Sequence, residues 1–459
     1  MEYRLKIENF GKIKKADIKV APFTLFVGDN NSGKSYLLSL IWGIQNLNVS
    51  DSLFTILLKG KLKEYIIVND RILEALKNSS SVEKRSFTIS TKELEAIWNY
   101  ILREGKEKFV SNIFNYNKME IEHLSLQFEE KEIVVEVNRE LDMVEMLYKI
   151  DGQHYFAMSM SETRISKANI ENAVVRNIIF LLLKLLENMP IYANIYLPAA
   201  RTGFMLSKDV INQVARRNTF DWKLEGENSI ETSWQPFTKP IIHFLDALDN
   251  LRFSNITYRK EIEEIIRWLE EDIVKGSIQY QQEGNEEVQY VPMGKQEPIP
   301  LRTSSAVVTE LTPLILLLKY KENMKMICYE EPEMCLHPQL QLEMGKLLIR
   351  LVNNGIKIIT TTHSDIILQH INNMCRAFQL CKSSENEKIK DRLGKLGFME
   401  WDRIDQRKIA VYQLTDEGSY STVEEIRPGK HGFDIPTFSN ALMDILEQTT
   451  EIDEMMDEE

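Results

Sequence analysis

The chain has 459 residues, enough for two or three domains or for one large domain with insertions. Apolar residues make up 43% of it and charged residues 27%, proportions that are ordinary for a globular protein. A net charge of −13 argues against a generally adhesive nucleic-acid binder, although it leaves room for a local basic groove.

The cysteines and the apolar runs indicate where in the cell the protein is expected. The four cysteines include no C-x-x-C pair, so we expect no structural zinc site. The N-terminus lacks the apolar stretch of a signal peptide, and the longest apolar run is too short to span a membrane. We therefore expect a cytoplasmic protein without a membrane partner.

Three strands are predicted before the first motif. Residues 3–9 alternate between apolar and polar positions, 16–20 look like a second strand, and Pro22 breaks the chain before an apolar run at 23–27. The first two strands predict a small antiparallel sheet. We expect this sheet to cover the base of a nucleotide bound at the motif that follows.

That motif is Gly28–Ser35, which fits G-x-x-x-x-G-K-[ST], the phosphate-binding P-loop. Chance gives on the order of 0.02 such matches in a chain of this length. Gly28 and Gly33 let the backbone curl around an anion, and the loop N–H groups and the next helix then face phosphate oxygens. We expect Lys34 to reach the β- and γ-phosphates and Ser35 to ligate Mg²⁺, so the predicted cofactors are ATP and Mg²⁺. The predicted nucleotide-binding residues of this loop are Gly28, Asn30, Asn31, Ser32, Gly33, Lys34, Ser35 and Tyr36.

Residues 50–190 look like an insertion between the P-loop and the rest of the ATPase core. Short apolar clusters within 50–115 suit helices better than strands. Alternation within 117–158 predicts β-hairpins, and 168–189 predicts a long apolar helix.

The second half resumes with a core-like strand at 192–197, followed by a small-residue turn that carries Arg201. Phosphate-facing groups cluster at such strand ends, so we predict a nucleotide contact for Arg201, with an ordinary loop arginine as the alternative. Residues 258–269 form an amphipathic helix pattern, either a short arm or a packed helix. A hairpin at 278–291 and a serine-rich turn before a helix at 307–320 complete this region. The turn is an N-cap or a second anion site.

Two further motifs supply acids and a histidine. An apolar strand at 326–329 ends in Glu330 and Glu331, and a strand from 356 ends at His363. In P-loop ATPases an acid at this place holds Mg²⁺ and a second carboxylate polarises the attacking water. We assign Glu330 to Mg²⁺ and Glu331 to the general base. His363 is predicted to contact the γ-phosphate, although a lone histidine is more often structural.

These motifs resemble those of ABC-type ATPases of the overcoming-lysogenization-defect, RecF and SMC-like group. The chain is most similar to compact AAA-labelled ATPases of bacterial anti-phage systems such as PARIS and Septu, which lack a Toprim nuclease domain. The residues that carry the resemblance are 7–11, the P-loop, 196–201, 330–333, 336–338 and 362–365.

The resemblance implies an α/β fold: an ABC-type P-loop ATPase head with an antiparallel β subdomain and inserted helical and β regions. In that family two heads sandwich ATP, and a signature turn of one head contacts the γ-phosphate held by the other. By position that turn is 303–306, with Ser304 and Ser305 as nucleotide contacts. Ala306 stands where a glycine is usual, which implies slow hydrolysis.

We expect four regions: an N-terminal ATPase lobe (1–49), the insertion (50–190), a second ATPase lobe (191–375) and a small C-terminal region with an acidic tail (376–459). Asp402 and Asp405 have the wrong spacing for a Toprim site, so we expect no nuclease activity. The tail region is predicted to hold a strand at 409–414 and a helix at 437–446.

Two functions remain open. The first is an ATP-hydrolysing switch or scaffold that forms a homodimer or higher homo-oligomer and controls a separate effector, a nuclease or toxin, in anti-phage defence. DNA or a phage protein would be its trigger. The alternative is a RecF- or SMC-like ATP-dependent DNA clamp in repair, which needs a basic groove. Candidates for that groove are Arg216, Arg217 and the cluster at 388–395. A membrane-transporter motor fits the insertions poorly.

Overall fold

A computed structural model describes residues 2–47, 62–77, 85–140, 143–161, 170–186, 193–220, 237–251, 260–281, 287–383, 386–430, 432–435, 446–452 and 455. The strands are β1 (Tyr3–Phe10), β2 (Ile13–Val20), β3 (Phe23–Gly28), β4 (Arg85–Ser90), β5 (Ile121–Phe128), β6 (Glu132–Glu140), β7 (Met143–Ile150), β8 (Gln153–Ser161), β9 (Asn194–Leu197), β10 (Gly276–Gln281), β11 (Glu287–Pro292), β12 (Ile299–Pro300), β13 (Met326–Glu330), β14 (Lys357–Thr361), β15 (Ile409–Asp416) and β16 (Ser421–Ile426). The helices are α1 (Lys34–Gln45), α2 (Lys63–Lys77), α3 (Thr91–Phe114), α4 (Ile170–Leu185), α5 (Arg201–Phe220), α6 (Lys239–Asp249), α7 (Lys260–Trp268), α8 (Ala306–Tyr320), α9 (Pro338–Asn353), α10 (Asp365–Ser383) and α11 (Glu387–Lys395).

The chain divides into two compact units. The first comprises Met1–Val20 and Gly43–Tyr192, and the second comprises Ala21–Trp42 and Ala193–Glu459. The α/β class predicted from the sequence is confirmed, with parallel and antiparallel strands in the same fold.

The first unit contains two antiparallel arrangements. Strand β1 pairs with β2 on one side and with β5 on the other, and β4, β6, β7 and β8 form a four-stranded sheet. Helix α3 begins with a capping box in which Ser90 and Glu93 satisfy each other's backbone N–H groups. Asn99 on α3 fixes the helix to β5, because its side chain both donates to and accepts from the backbone of Leu126.

The second unit is built on parallel strands in the order β15, β3, β14, β13, β9, with β16 antiparallel at the outer side of β15. The central strands are almost wholly buried, as their continuous apolar sequences require when helices cover both faces. The carboxyl ends of β3, β13, β14 and β9 meet at one edge of the sheet. In α/β folds this edge is where ligands bind.

Most predicted elements of the chain are confirmed, with specific differences. The helical interpretation of 50–115 is wrong at 85–90, which is strand β4, paired with β6 throughout its length. Helix α7 covers 260–268 of the amphipathic pattern and continues into a π-helical turn, Leu269–Ile273, beside β10. Residues 437–445 of the predicted helix at 437–446 and the apolar cluster at 56–58 lie outside the described residues.

Candidate functional site

The P-loop backbone adopts left-handed conformations at three positions. Gly28 has φ +123, Asn31 has φ 59 and Gly33 has φ 99, which bends the loop sharply between β3 and α1. Glycine tolerates such angles without steric cost, and asparagine is among the few other residues that do. The Ser32 hydroxyl donates to the Asp29 carbonyl oxygen over 2.7 Å and closes the bend from inside. The loop therefore has the curled backbone that the motif predicts.

Strand β15 supports the first residue of the loop. Leu414 lies opposite Gly28 in the parallel pairing of β15 with β3, and its carbonyl oxygen accepts the Asp29 N–H over 3.2 Å. The Asp29 carboxylate in turn accepts the Asp416 N–H over 3.0 Å. A side chain at Gly28 has no space, because an added Cβ would lie 1.9 Å from the Leu414 oxygen. The sequence interpretation gave β15 no part in the nucleotide site.

Lys34 lies inside the loop, with 6% of its surface exposed. Its ammonium group donates to the carbonyl oxygens of Gly28, over 2.9 Å, and of Asp29, over 2.6 Å. Burial lowers the pKa of Lys34, and the charges of Glu331, Asp29 and Glu333 oppose that shift. A buried ammonium surrounded by acids is well placed to exchange its carbonyl partners for phosphate oxygens.

Glu331 and His363 lie together beside Lys34. The His363 Nε2 atom is 3.8 Å from the Glu331 Oε1 atom, and each side chain is 35% exposed. The Glu331 N–H donates to the carbonyl oxygen of Thr361 over 3.1 Å, which fixes the end of β13 against the end of β14. Burial lowers the pKa of His363, and the charge of Lys34 adds to the effect. The structure thus brings three predicted residues together, with the imidazole neutral near pH 7.

A third acid, Glu333, holds the turn that carries His363. Its Oε1 atom accepts the His363 N–H over 2.6 Å, and burial raises the pKa of this carboxyl group. The next residue, Ser364, donates through its hydroxyl to the Gln341 Oε1 atom over 2.6 Å. Gln341 donates in turn to the Leu336 carbonyl oxygen over 3.0 Å. Glu333 was part of the predicted motif but received no role, because spacing alone does not show which way an acid in a turn points.

Glu330 points toward the loop after β9. Its Oε2 atom accepts the Ala199 N–H over 2.9 Å. The Tyr196 hydroxyl lies 3.2 Å from the Ser39 hydroxyl, and burial followed by the charge of Glu330 raises the pKa of this tyrosine. Ser39 is one turn beyond Ser35 on α1, so Tyr196 connects the end of β13 at Glu330 with the helix that carries Ser35.

The donor set fits Mg²⁺ bound together with a nucleotide. Hydroxyl and carboxylate oxygens are ligands that Mg²⁺ prefers, and it usually takes one or two from the protein and the rest from water and phosphates. Among the described residues no group of three or more His, Cys, Asp or Glu side chains is arranged to hold a metal alone. Ser35 and Glu330 are the residues that would hold the ion.

Arg201 lies at the start of α5 and is completely buried. Its guanidinium group forms an ion pair with Glu310 and donates to backbone carbonyl oxygens at Pro198, Glu330 and Glu331. Within the described residues it makes no hydrogen bond to the P-loop. The nucleotide contact assigned to Arg201 therefore stays a prediction.

The serine-rich turn lies at the start of α8. Ser305 is the N-cap residue, without a side-chain capping bond, and the Ser304 hydroxyl is buried without a hydrogen-bond partner among the described residues. No hydrogen bond or ion pair joins these two residues to the P-loop within the described part of this single chain.

Asn30, Asn31 and Tyr36 are exposed at the mouth of the P-loop. Their nucleotide contacts stay predictions.

A curled P-loop after a buried strand, a buried lysine and paired acid and histidine side chains at one sheet edge define a P-loop ATPase. Residues 1–368 match the AAA ATPase domain family, and the chain belongs to it. No curated protein sequence matches the chain. No described helix is long and apolar enough to cross a membrane.

Solved structures of SMC head domains are also similar. One is the SMC head domain from Thermotoga maritima, at 11% identity and a TM-score of 0.33, covering 93% of this chain and 99% of that one. Another is the Smc head with an extended coiled coil bound to the C-terminal domain of ScpA, derived from Pyrococcus furiosus. It has 13% identity and a TM-score of 0.36, covering 98% and 100%. The SmcHead bound to the C-winged helix domain of ScpA has 13% identity and a TM-score of 0.35, covering 93% and 98%.

Proposed function

We propose that this chain hydrolyses ATP to ADP and phosphate, with Glu331 as the general base. The observation that carries the proposal is the Glu331–His363 pair, 3.8 Å apart, beside the buried ammonium of Lys34. Glu331 takes a proton from the attacking water, and the neutral His363 orients that water or contacts the γ-phosphate. Ser35 and Glu330 would hold Mg²⁺, which would supply neutralisation of the phosphate charge when bound.

The loop residues have separate roles in this proposal. The backbone N–H groups of the loop and Lys34 bind the phosphates. The further proposed nucleotide contacts are Gly28, Asn30, Asn31, Ser32, Gly33, Tyr36, Ser304 and Ser305, whereas the completely buried Arg201 receives a positioning role below. The serine turn would act on a nucleotide held by a second copy of the chain, as the resemblance to two-headed ATPases implies. Slow turnover is expected, because Ala306 replaces the usual glycine.

ATP binding would make the chain a switch or scaffold: a homodimer or higher oligomer that controls a separate nuclease or toxin during phage infection. The resemblance to defence ATPases such as those of PARIS and Septu supports this part of the proposal. Four free cysteines, two of them buried, agree with a reducing cytoplasm.

A DNA clamp is the second candidate, and the basic cluster on α11 is the feature that favours it. Lys390 pairs with Glu387 over 2.8 Å and Lys395 pairs with Asp391 over 2.7 Å, so half of the cluster's four basic side chains are already opposed by acids. The side chains of Arg216 and Arg217, the other candidates, lie outside the described residues. The clamp therefore has the weaker support.

The rate of phosphate release from ATP, measured for Glu331→Gln and for the wild type, tests the hydrolysis proposal. We expect turnover to fall by about 10²- to 10⁴-fold while ATP affinity is kept, because only the proton acceptor is lost. Lys34→Ala is expected to abolish ATP binding itself. Glu322→Gln, at an exposed position, is the charge-matched control. Wild-type turnover in Glu331→Gln would assign the base to another residue.

The switch and the clamp can be separated with the same variant. Tagged Glu331→Gln chain, recovered from its host in the ATP-bound state, should retain a stoichiometric effector if the switch is correct. Salt-sensitive binding of duplex DNA, without an effector, would favour the clamp.

A further inference from the structure

The second unit contains a completely buried ion pair whose position is unusual. Arg201 is 0% exposed and Glu310 is 1% exposed, and the guanidinium Nη2 atom contacts the Glu310 Oε1 atom. The Thr202 hydroxyl donates to the other carboxylate oxygen of Glu310. Removing two charges from water is costly, and such a pair stabilises a fold little compared with apolar packing. A role in positioning therefore accounts for it better than stability does.

The same guanidinium group also contacts the catalytic turn. Its Nη1 atom donates to the Glu330 carbonyl oxygen over 2.8 Å, and its Nη2 atom donates to the Glu331 carbonyl oxygen over 3.1 Å. Its Cζ atom lies 4.7 Å from the centroid of the Tyr329 ring, on the strand that ends in these glutamates. One planar group therefore holds two consecutive peptide carbonyls, which its fixed fork of donors suits.

The turn needs such support because Glu331 is strained. Its φ of 41 lies in the left-handed region, which residues with a Cβ atom rarely adopt. In this backbone conformation the Glu331 Oε1 atom lies 3.8 Å from the His363 Nε2 atom. Strain of this kind persists at a functional site when surrounding contacts fix it, and the Arg201 contacts to both carbonyls do so here.

The geometry assigns Arg201 the role of a positioning residue, anchored by Glu310, that fixes the backbone of Glu331 for attack on ATP. This inference rests on the proposed hydrolysis. Glu310 lies on α8, whose N-cap residue is Ser305, so the backbone position of Glu331 depends on the helix that follows the serine turn. A movement of the serine turn would therefore change the position of Glu331 through the Arg201 side chain.

Arg201→Lys is the first test, because lysine keeps the charge but cannot hold both carbonyls and Glu310 at once. We expect the turnover number to fall by about 100-fold, as for misplacement of a catalytic group by about 1 Å, with ATP affinity within about twofold of wild type. A loss of ATP affinity, with turnover kept at saturating ATP, would instead make Arg201 a nucleotide ligand and overturn the inference.

The second test uses the Glu331→Gln background. If Arg201 acts through Glu331, Arg201→Lys reduces turnover no further in that background; an independent hundredfold loss would overturn the inference. Glu310→Gln, which keeps the side-chain shape, is the substitute test if Arg201→Lys folds poorly. We expect it to reduce turnover as well, because it removes the charge that anchors Arg201. Lys208→Met is the control, because Lys208 on the same helix pairs with Asp249 near the surface. Normal turnover in both Arg201→Lys and Glu310→Gln would overturn the positioning role of Arg201 and leave the proposed hydrolysis intact. A wild-type chain that turns over ATP no faster than Glu331→Gln would overturn the proposed hydrolysis as well.

Discussion

Replacing Gly28 by alanine should damage both the stability and the nucleotide site. The added Cβ would lie 1.9 Å from the Leu414 oxygen, where real contacts stay beyond 3.0 Å, so the strands must separate by about 1.1 Å at this point. That shift breaks the hydrogen bond from the Asp29 N–H, which contributes about 1 kcal/mol. Holding alanine at φ +123 costs about 1–3 kcal/mol more. We expect the free energy of unfolding to fall by about 2–4 kcal/mol, out of the 5–15 typical of a domain.

Urea unfolding measures the stability change, and titration with ATP measures the site. Gly394→Ala is the matched control: this helical glycine has nothing within 4 Å of an added Cβ, so we expect a change of at most about 1 kcal/mol, toward greater stability. If Gly28→Ala keeps both wild-type stability and wild-type ATP affinity, the register of β15 against β3 described above is wrong.

Two further predictions concern stability. Burial lowers the pKa of His243 from 6.5 to about 4. Between these values the unfolded chain binds the extra proton, so the free energy of unfolding should fall by about 3 kcal/mol as the pH drops through this window. His243→Gln should remove that dependence in urea unfolding measured from pH 7 to 4, whereas the exposed His123→Gln should keep it. Asn372 accepts from the Phe433 N–H and donates to the Phe433 oxygen, both over 2.8 Å. Asn372→Ala leaves both groups buried and unpaired, so thermal unfolding should show a loss of about 2–6 kcal/mol, and an effect no larger than that of the exposed Asn373→Ala would contradict this.

Each part of the site that could be predicted lies within one short stretch of sequence. The P-loop is a contiguous stretch whose residue types are dictated by phosphate chemistry, so Lys34 and Ser35 could be assigned without a fold. Glu331 and His363 each follow a short apolar strand, and parallel strands bring their carboxyl ends together. Their side chains lie 3.8 Å apart in the structure, and their catalytic roles stay predictions.

The parts that were missed depend on contacts between distant residues. Asp29 and Asp416 are 387 positions apart, and no local pattern shows that β15 pairs with β3. The Glu310 partner of Arg201 lies in a helix whose apolar sequence gives no sign that an acid is enclosed. Strand β4 was missed because it is short and its alternation is partly polar, so its pairing with β6 decides its conformation rather than its own propensity.

The pairing of β3 with β15 also affects how the chain is made. The family match ends at residue 368, yet the strand that supports the first glycine of the P-loop is complete only at Asp416. At 5–20 residues per second a ribosome needs roughly 20–80 s to synthesise the chain from Gly28 to Asp416. During that interval β3 emerges with an unpaired edge, which invites pairing with other chains. The nucleotide pocket is therefore among the last features of the nascent protein to form, although its signature is among the first to be synthesised.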